Sequence, residues 1–132
     1  MKEDFLHYLW KFQKFSTLEL FTATGEAIQV LKVGNHNLSS VGPDFFLSQL
    51  IINNQKWVGN VEIHLRSSDW YAHNHQTDVN YDSVILHVVW EDDVAVFRKD
   101  NTKLPTLILK DYVTDDMLKK YYKFFDRSKK KE

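Results

Sequence analysis

Between Val84 and Trp90 the chain reads VILHVVW, seven residues in which His87 alone is polar. A run this short and this rich in β-branched residues predicts a strand rather than a helix. Because it lacks alternation, it predicts a strand buried on both faces. The sheet that contains it therefore needs cover above and below. At 132 residues the chain forms one domain and can bury about two thirds of its unfolded surface. Hydrophobic residues at 43% and aromatics at 14% supply the core.

The other elements follow from periodicity. Phe5, Tyr8, Phe12 and Phe15 recur at helical spacing, with Leu6 and Leu9 widening the stripe, which predicts a helix over 3–15. Residues 17–21 and 27–33 predict a hairpin around Thr24-Gly25, and Gly34 to Pro43 a polar loop. A second hairpin, 45–52 with 56–66, turns at Asn53-Asn54, and Gly59 marks a bulge or a close backbone approach. The polar stretch Tyr71 to Asp82 has room for a short helix. Strands are expected at 94–98 and 105–109, and Thr114 caps a final helix reaching Phe125. The fold class is α/β in the broad sense (α+β): N-terminal helix, mixed central sheet of about five to seven strands, C-terminal helix. A purely antiparallel sheet satisfies the same periodicity. The domain is expected to span 1–126, with a basic, flexible tail at 127–132.

Function is sought first in a split acidic constellation, Pro43-Asp44 followed by Glu62-Ile63-His64. Strand side chains alternate, so Glu62 and His64 share a face about 6–7 Å apart, while Val61, Ile63 and Leu65 face the core. If the hairpin brings Asp44 alongside, two carboxylates converge about 4–6 Å apart, suited to a hard ion such as Mg²⁺ or Mn²⁺. An ion of this kind beside a base supports hydrolysis of phosphodiesters. The competing explanation of the alternation is a solvent-facing strand half, with Glu62 and His64 simply hydrated.

These residues resemble the PD-(D/E)xK nuclease superfamily, Asp44 and Glu62 matching its two acids and His64 standing where lysine is usual. The resemblance covers the middle third of the chain. It implies a restriction-endonuclease-like core and nucleic acid as partner. Asp44, Glu62 and His64 are then catalytic, and Mg or Mn is held by Asp44, Glu62 and the Ile63 carbonyl. Histidine, with a reference pKa of about 6.5, is mostly neutral at pH 7 and serves as general base or ligand instead of a fixed positive charge. The wider run FLHYLWKFQKF, GPDFF, GNVEIHLRSSDWYAHNH and YDSVILHVVW resembles the N-terminal part of an uncharacterised bacterial family of longer proteins. That resemblance implies no activity. It implies that 114–125, with its two apolar stripes, packs on a missing C-terminal part or on a second copy in a homo-oligomer.

Histidine supplies a rival constellation. His64, His73, His75 and His87 lie close in sequence beside Asp69, Asp78 and Asp82, an alternative metal site for Zn²⁺, Mn²⁺ or Fe²⁺. Taken alone, His87 reads as a hydrogen-bonded core residue. Trp57, Trp70, Tyr71, Tyr81 and Trp90 either stack bases or fill the core, with Trp70 expected in an exposed loop. A net charge of −1 excludes a general nucleic-acid coat, although Lys119 to Lys131 is basic. Absence of cysteine excludes disulfides and thiolate metal sites. No apolar run spans a membrane, the acidic N-terminus is not a secretory signal, and cytoplasm is the default location. No nucleophile elbow, P-loop or dinucleotide fingerprint is present. Three functions remain open: a metal-dependent phosphodiesterase or nuclease, a non-catalytic interaction or nucleic-acid-binding module, and a histidine-rich metal-binding protein.

Overall fold

A computed structural model describes residues 1–130, with side chains through Phe124. Helix α1 spans Glu3–Phe12. It stops short of the expected 15 because Gln13 takes a left-handed conformation at φ 52, and its N–H closes the last turn on Leu9 and Trp10 carbonyls. Phe15 reaches the core from the following loop instead.

Strands β1 (Leu20–Phe21), β2 (Ala27–Lys32), β3 (Asn35–His36), β4 (Phe45–Ile52), β5 (Gln55–Arg66), β6 (Val84–Glu91) and β7 (Thr106–Ile108) form one seven-stranded sheet. The order is β1-β2-β4-β5-β6-β7, with β3 pairing the start of β4. Pairing is antiparallel up to β5, then parallel for β5–β6 and β6–β7, so the sheet is mixed. The β4–β5 hairpin turns on Asn53 and Asn54, both at positive φ (51 and 65), the geometry that a two-residue turn requires. At Gly59 a Cβ would stand 2.5 Å from Ile85 Cγ2 and 2.8 Å from the Ser83 carbonyl, so glycine is needed where β6 begins to pair.

A parallel neighbour requires a crossover. Residues 67–83 supply one between β5 and β6: helix α2 (Asp69–Ala72) and two 3₁₀ turns, His75–Thr77 and Val79–Tyr81. Asp93 fastens its start, accepting from Ser67 Oγ at 2.9 Å, Ser68 N at 2.9 Å and Ser68 Oγ at 2.7 Å. These bonds hold the Asp93 carboxyl down at about 2.

The two faces of the sheet are covered differently. On one, Leu6, Leu9 and Trp10 of α1 pack on Phe45, Val61, Ile63, Leu86 and Val88. On the other, Trp70, Tyr81, Val84, Val96 and Leu104 form a smaller cluster beneath the crossover. Burial of Val84 through Val89 on both faces agrees with the apolar run. Trp70, expected in an exposed loop, is instead buried by this second cluster. The expected strand at 94–98 is absent. Only Phe97 bridges to Lys103, because the segment is committed to Asp93–Ser67 contacts at one end and to the Arg98–Thr102 turn at the other.

Helix α3 (Asp115–Lys130) begins at Thr114, whose Oγ1 accepts the Met117 N–H at 3.1 Å. It packs on α1 through rings, Tyr121 lying 5.8 Å from Phe5 and 5.7 Å from Tyr8, and Tyr122 lying 5.6 Å from Phe5. Met117, Leu118 and Tyr121 are half-buried, whereas Phe124 is 57% exposed. Phe125, part of the expected apolar stripe, lies outside the described side chains. The helix runs on to Lys130, into the segment 127–132 expected as a tail. Residues 131–132 of that tail lie outside the described residues. No helix among the described residues is long and apolar enough to cross a membrane.

Candidate metal centre

Glu62 and His64 occupy the β5 face opposite Val61 and Ile63, as alternation requires. They are not hydrated: Glu62 is 4% and His64 1% exposed, because the crossover folds over them. The solvent-facing explanation is therefore overturned. Parallel pairing sets Glu62 beside His87 and His64 beside Val89, which places His87 next to His64 on the covered face.

His73 and His75 come from the crossover itself. Helix α2 ends at His73, and Asn74 in the left-handed conformation (φ 59) reverses the backbone so that His75 turns inward too. The His75 ring stacks on Tyr81 at 3.7 Å and meets Trp70 edge-on at 5.3 Å, which fixes its plane. Ligand nitrogens of His64, His73 and His75 all lie within 4.8 Å of one another. Glu62 Oε2 approaches two of them, 2.8 Å from His75 Nε2 and 3.4 Å from His64 Nε2, and is not part of the set that closes on His73. Ligand atoms about 2.0–2.1 Å from an ion stand about 2.9 Å apart on an octahedral edge and about 3.4 Å apart on a tetrahedral one. The two Glu62 separations are of that size. His75 Nε2 is buried, with the Glu62 oxygen as its one close polar neighbour among the described residues.

His87 stands behind the cluster, outside the converging set expected from the sequence. Its Nε2 lies 2.8 Å from His64 Nδ1. With a proton on His64 Nδ1, this contact leaves the Nε2 lone pair of His64 aimed at Glu62, His73 and His75, the usual way a second residue orients a ligating imidazole.

The electrostatics follow from burial. His64 is pushed down to about 2 by burial and by the surrounding histidines His87, His75 and His73. Burial likewise takes His87 to about 3, and burial with His73 takes His75 to about 4. Glu62 moves the opposite way, raised by burial and by the neighbouring Asp44 carboxyl. Without a cation, burial therefore favours unprotonated His64 and His75 and a neutral Glu62 carboxyl. A divalent ion would reverse the cost of ionising Glu62 while using the same imidazole lone pairs.

Asp44 lies beside Glu62 but serves another set of partners. Its Oδ2 accepts the Ile63 N–H at 2.8 Å, and Glu62 Oε1 accepts the Asp44 N–H at 3.2 Å, a reciprocal clasp between β4 and β5. Asp44 Oδ2 also faces His7 Nε2 at 3.6 Å. Ile63, expected to offer its carbonyl, meets Asp44 through its N–H. Glu3 and His7 were missed from the sequence, although their spacing of one helical turn puts both on one face of α1.

Neither a curated protein nor a solved structure matches this chain. The likeness to PD-(D/E)xK nucleases thus has no counterpart among the matches. A family profile does match residues 3–132, nearly the whole sequence: the chain belongs to the family described as Protein of unknown function (DUF2851).

Proposed function

We propose that the chain binds a divalent transition-metal ion through Glu62, His64 and His75, with His73 at the exposed side, and that the centre serves phosphodiester hydrolysis. The observation that carries this is the clustering of three imidazole nitrogens, with the buried Glu62 carboxyl against two of them. A donor set of three nitrogens and one oxygen suits Zn²⁺, with Mn²⁺ and Fe²⁺ as neighbours in preference. With water in the place of His73, such an ion would supply a nucleophile at neutral pH and stabilise charge on a phosphoryl oxygen. In this reading His64 is a ligand rather than a general base, because burial keeps it from holding a proton near neutrality. Trp70 and Tyr81 wall the centre and hold His75 in plane.

A second reading keeps Asp44 and Glu62 as ligands to Mg²⁺ or Mn²⁺ in a nuclease-like site. The clasp that makes the two residues neighbours favours it. Nucleic acid is the substrate or partner in both readings, with a non-catalytic binding module as the alternative.

The test is calorimetric titration of chelator-treated protein with Zn²⁺ and with Mn²⁺, followed by nicking assays on single- and double-stranded DNA and RNA. Zn²⁺ binding that His75→Ala abolishes, with metal-dependent cleavage, is the expected result. Binding without cleavage would leave a metal-binding module. If neither ion binds, the metal-centre reading fails.

A further inference from the structure

We infer that Glu3, His7 and Asp44 form a second divalent-cation site, distinct from the histidine centre and selective for harder ions such as Mn²⁺ or Mg²⁺. One ligand atom from each of the three lies within 4.8 Å of the others. His7 Nε2 is 3.6 Å from Asp44 Oδ2 and 3.7 Å from Glu3 Oε1, too far for hydrogen bonds and wider than the about 2.9 Å octahedral edge, so the side chains would draw together around a shared ion. That nitrogen is buried and makes no hydrogen bond.

The imidazole is oriented from behind, as at the first centre. His7 Nδ1 lies 3.2 Å from His36 Nε2, and the His36 ring stacks on Phe45 at 4.7 Å and 7°. Phe45 is wholly buried, so the pair is anchored to the core. Helix α1 fixes Glu3 and His7 one turn apart, and its own position is set by Leu6, Leu9 and Trp10. Asp44 is held by the Ile63 N–H. All three ligands therefore project from anchored backbone, with little ordering left to do on binding.

The donor chemistry separates the two sites. Two carboxylates and one imidazole favour a harder ion than three imidazoles and one carboxylate do. Hard ions also keep several waters, which need space. A cavity of about 560 Å³ opens beside His7 and Asp44, lined further by His36, Lys11, Asn37 and Ser39. The opposing account is an ion pair, with protonated His7 between two carboxylates and no cation.

The experiment is Mn²⁺ titration followed by electron paramagnetic resonance on the full chain, comparing wild type with Glu3→Gln, His7→Gln and His75→Ala. Glu3 is surface-accessible and glutamine keeps its size, so an unchanged melting temperature can confirm that this variant folds. The expected result is a bound Mn²⁺ whose affinity falls by at least about tenfold in Glu3→Gln and His7→Gln and persists in His75→Ala. Zn²⁺ binding at the histidine centre should survive Glu3→Gln. Absence of bound Mn²⁺ in wild type, equal Mn²⁺ affinity in Glu3→Gln, or loss of Mn²⁺ only in His75→Ala would each overturn the second site. Failure of the histidine centre reads differently: Zn²⁺ binding is then missing while the Glu3-dependent Mn²⁺ signal remains.

Discussion

Strand β5 presents two buried faces one residue apart, and they are buried by opposite means. Val61 and Ile63 pack against α1 and the neighbouring strands, where apolar contact is sufficient. Glu62 and His64 are as deeply covered, but their cover is His75, Trp70 and Tyr81, and their partners are polar. Apolar burial stabilises in proportion to area and tolerates no metal. Polar burial costs free energy unless every group is satisfied, and here some groups are not: His75 Nε2 and His87 Nδ1 have no hydrogen bond. The comparison teaches where the fold is held together and where it is prepared to accept something.

Acidification should separate the two faces most strongly. His64, His75 and His87 have folded-state values of about 2, 4 and 3, below the unfolded value. Between those values and about 6.5 the unfolded chain binds more protons, so stability is present above about 6.5 and lost as pH falls. Glu62, raised in the fold, opposes this above its unfolded value of about 4.5, because the unfolded chain there has already released its proton. Three histidines against one carboxyl leave a net two protons. At about 1.4 kcal/mol per proton and pH unit, the slope is on the order of 3 kcal/mol per unit at its steepest. Urea unfolding of metal-free protein from pH 7 to pH 4.5 measures it. A flat profile would mean that Glu62 stays ionised and the histidines take up protons in the fold, removing the contrast between the faces.

Ile63→Ala attacks the apolar face and should cost about 2–5 kcal/mol, read as a lower urea midpoint at unchanged slope. The same loss should appear with and without metal. Zn²⁺ at a hundredfold excess over its dissociation constant should add about 2.7 kcal/mol to wild type and nothing to His75→Ala or Glu62→Gln. A Zn²⁺ effect that survives both changes would place the ion elsewhere. His87→Leu stays close in volume but removes the partner of His64 Nδ1, so Zn²⁺ affinity should fall by about 10–100-fold. Unchanged affinity would reduce His87 to core packing. Trp57→Ala, toward the start of β5 at a site 42% exposed, should have the smallest effect, a shift of about 0.5 kcal/mol. A larger shift would expose a third packed region.

Much of the frame was legible because it depends on short-range pattern. The apolar run in β6, the Asn53-Asn54 turn, the Thr114 cap and the alternation of β5 each report a local preference that the sheet and helices then use. The segment 94–98 was misread because its β-branched and aromatic residues are spent on a loop held by Asp93 and Arg98, a tertiary demand that outweighs propensity.

For the candidate site, the sequence by itself singled out the residues to watch: Asp44, Glu62, and the histidines at 64, 73, 75 and 87. It also determined that Glu62 and His64 share a face. Only the tertiary structure decided which of these meet. The crossover between parallel strands and the reversal at Asn74 bring His73 and His75 over β5, while the parallel register puts His87 behind His64. The packing of α1 gives Asp44 to Glu3 and His7 rather than to the histidine set. Spacing along a strand or helix is fixed by bond geometry and can be read from sequence. Convergence across distant segments depends on which surfaces bury together, and no local preference encodes that.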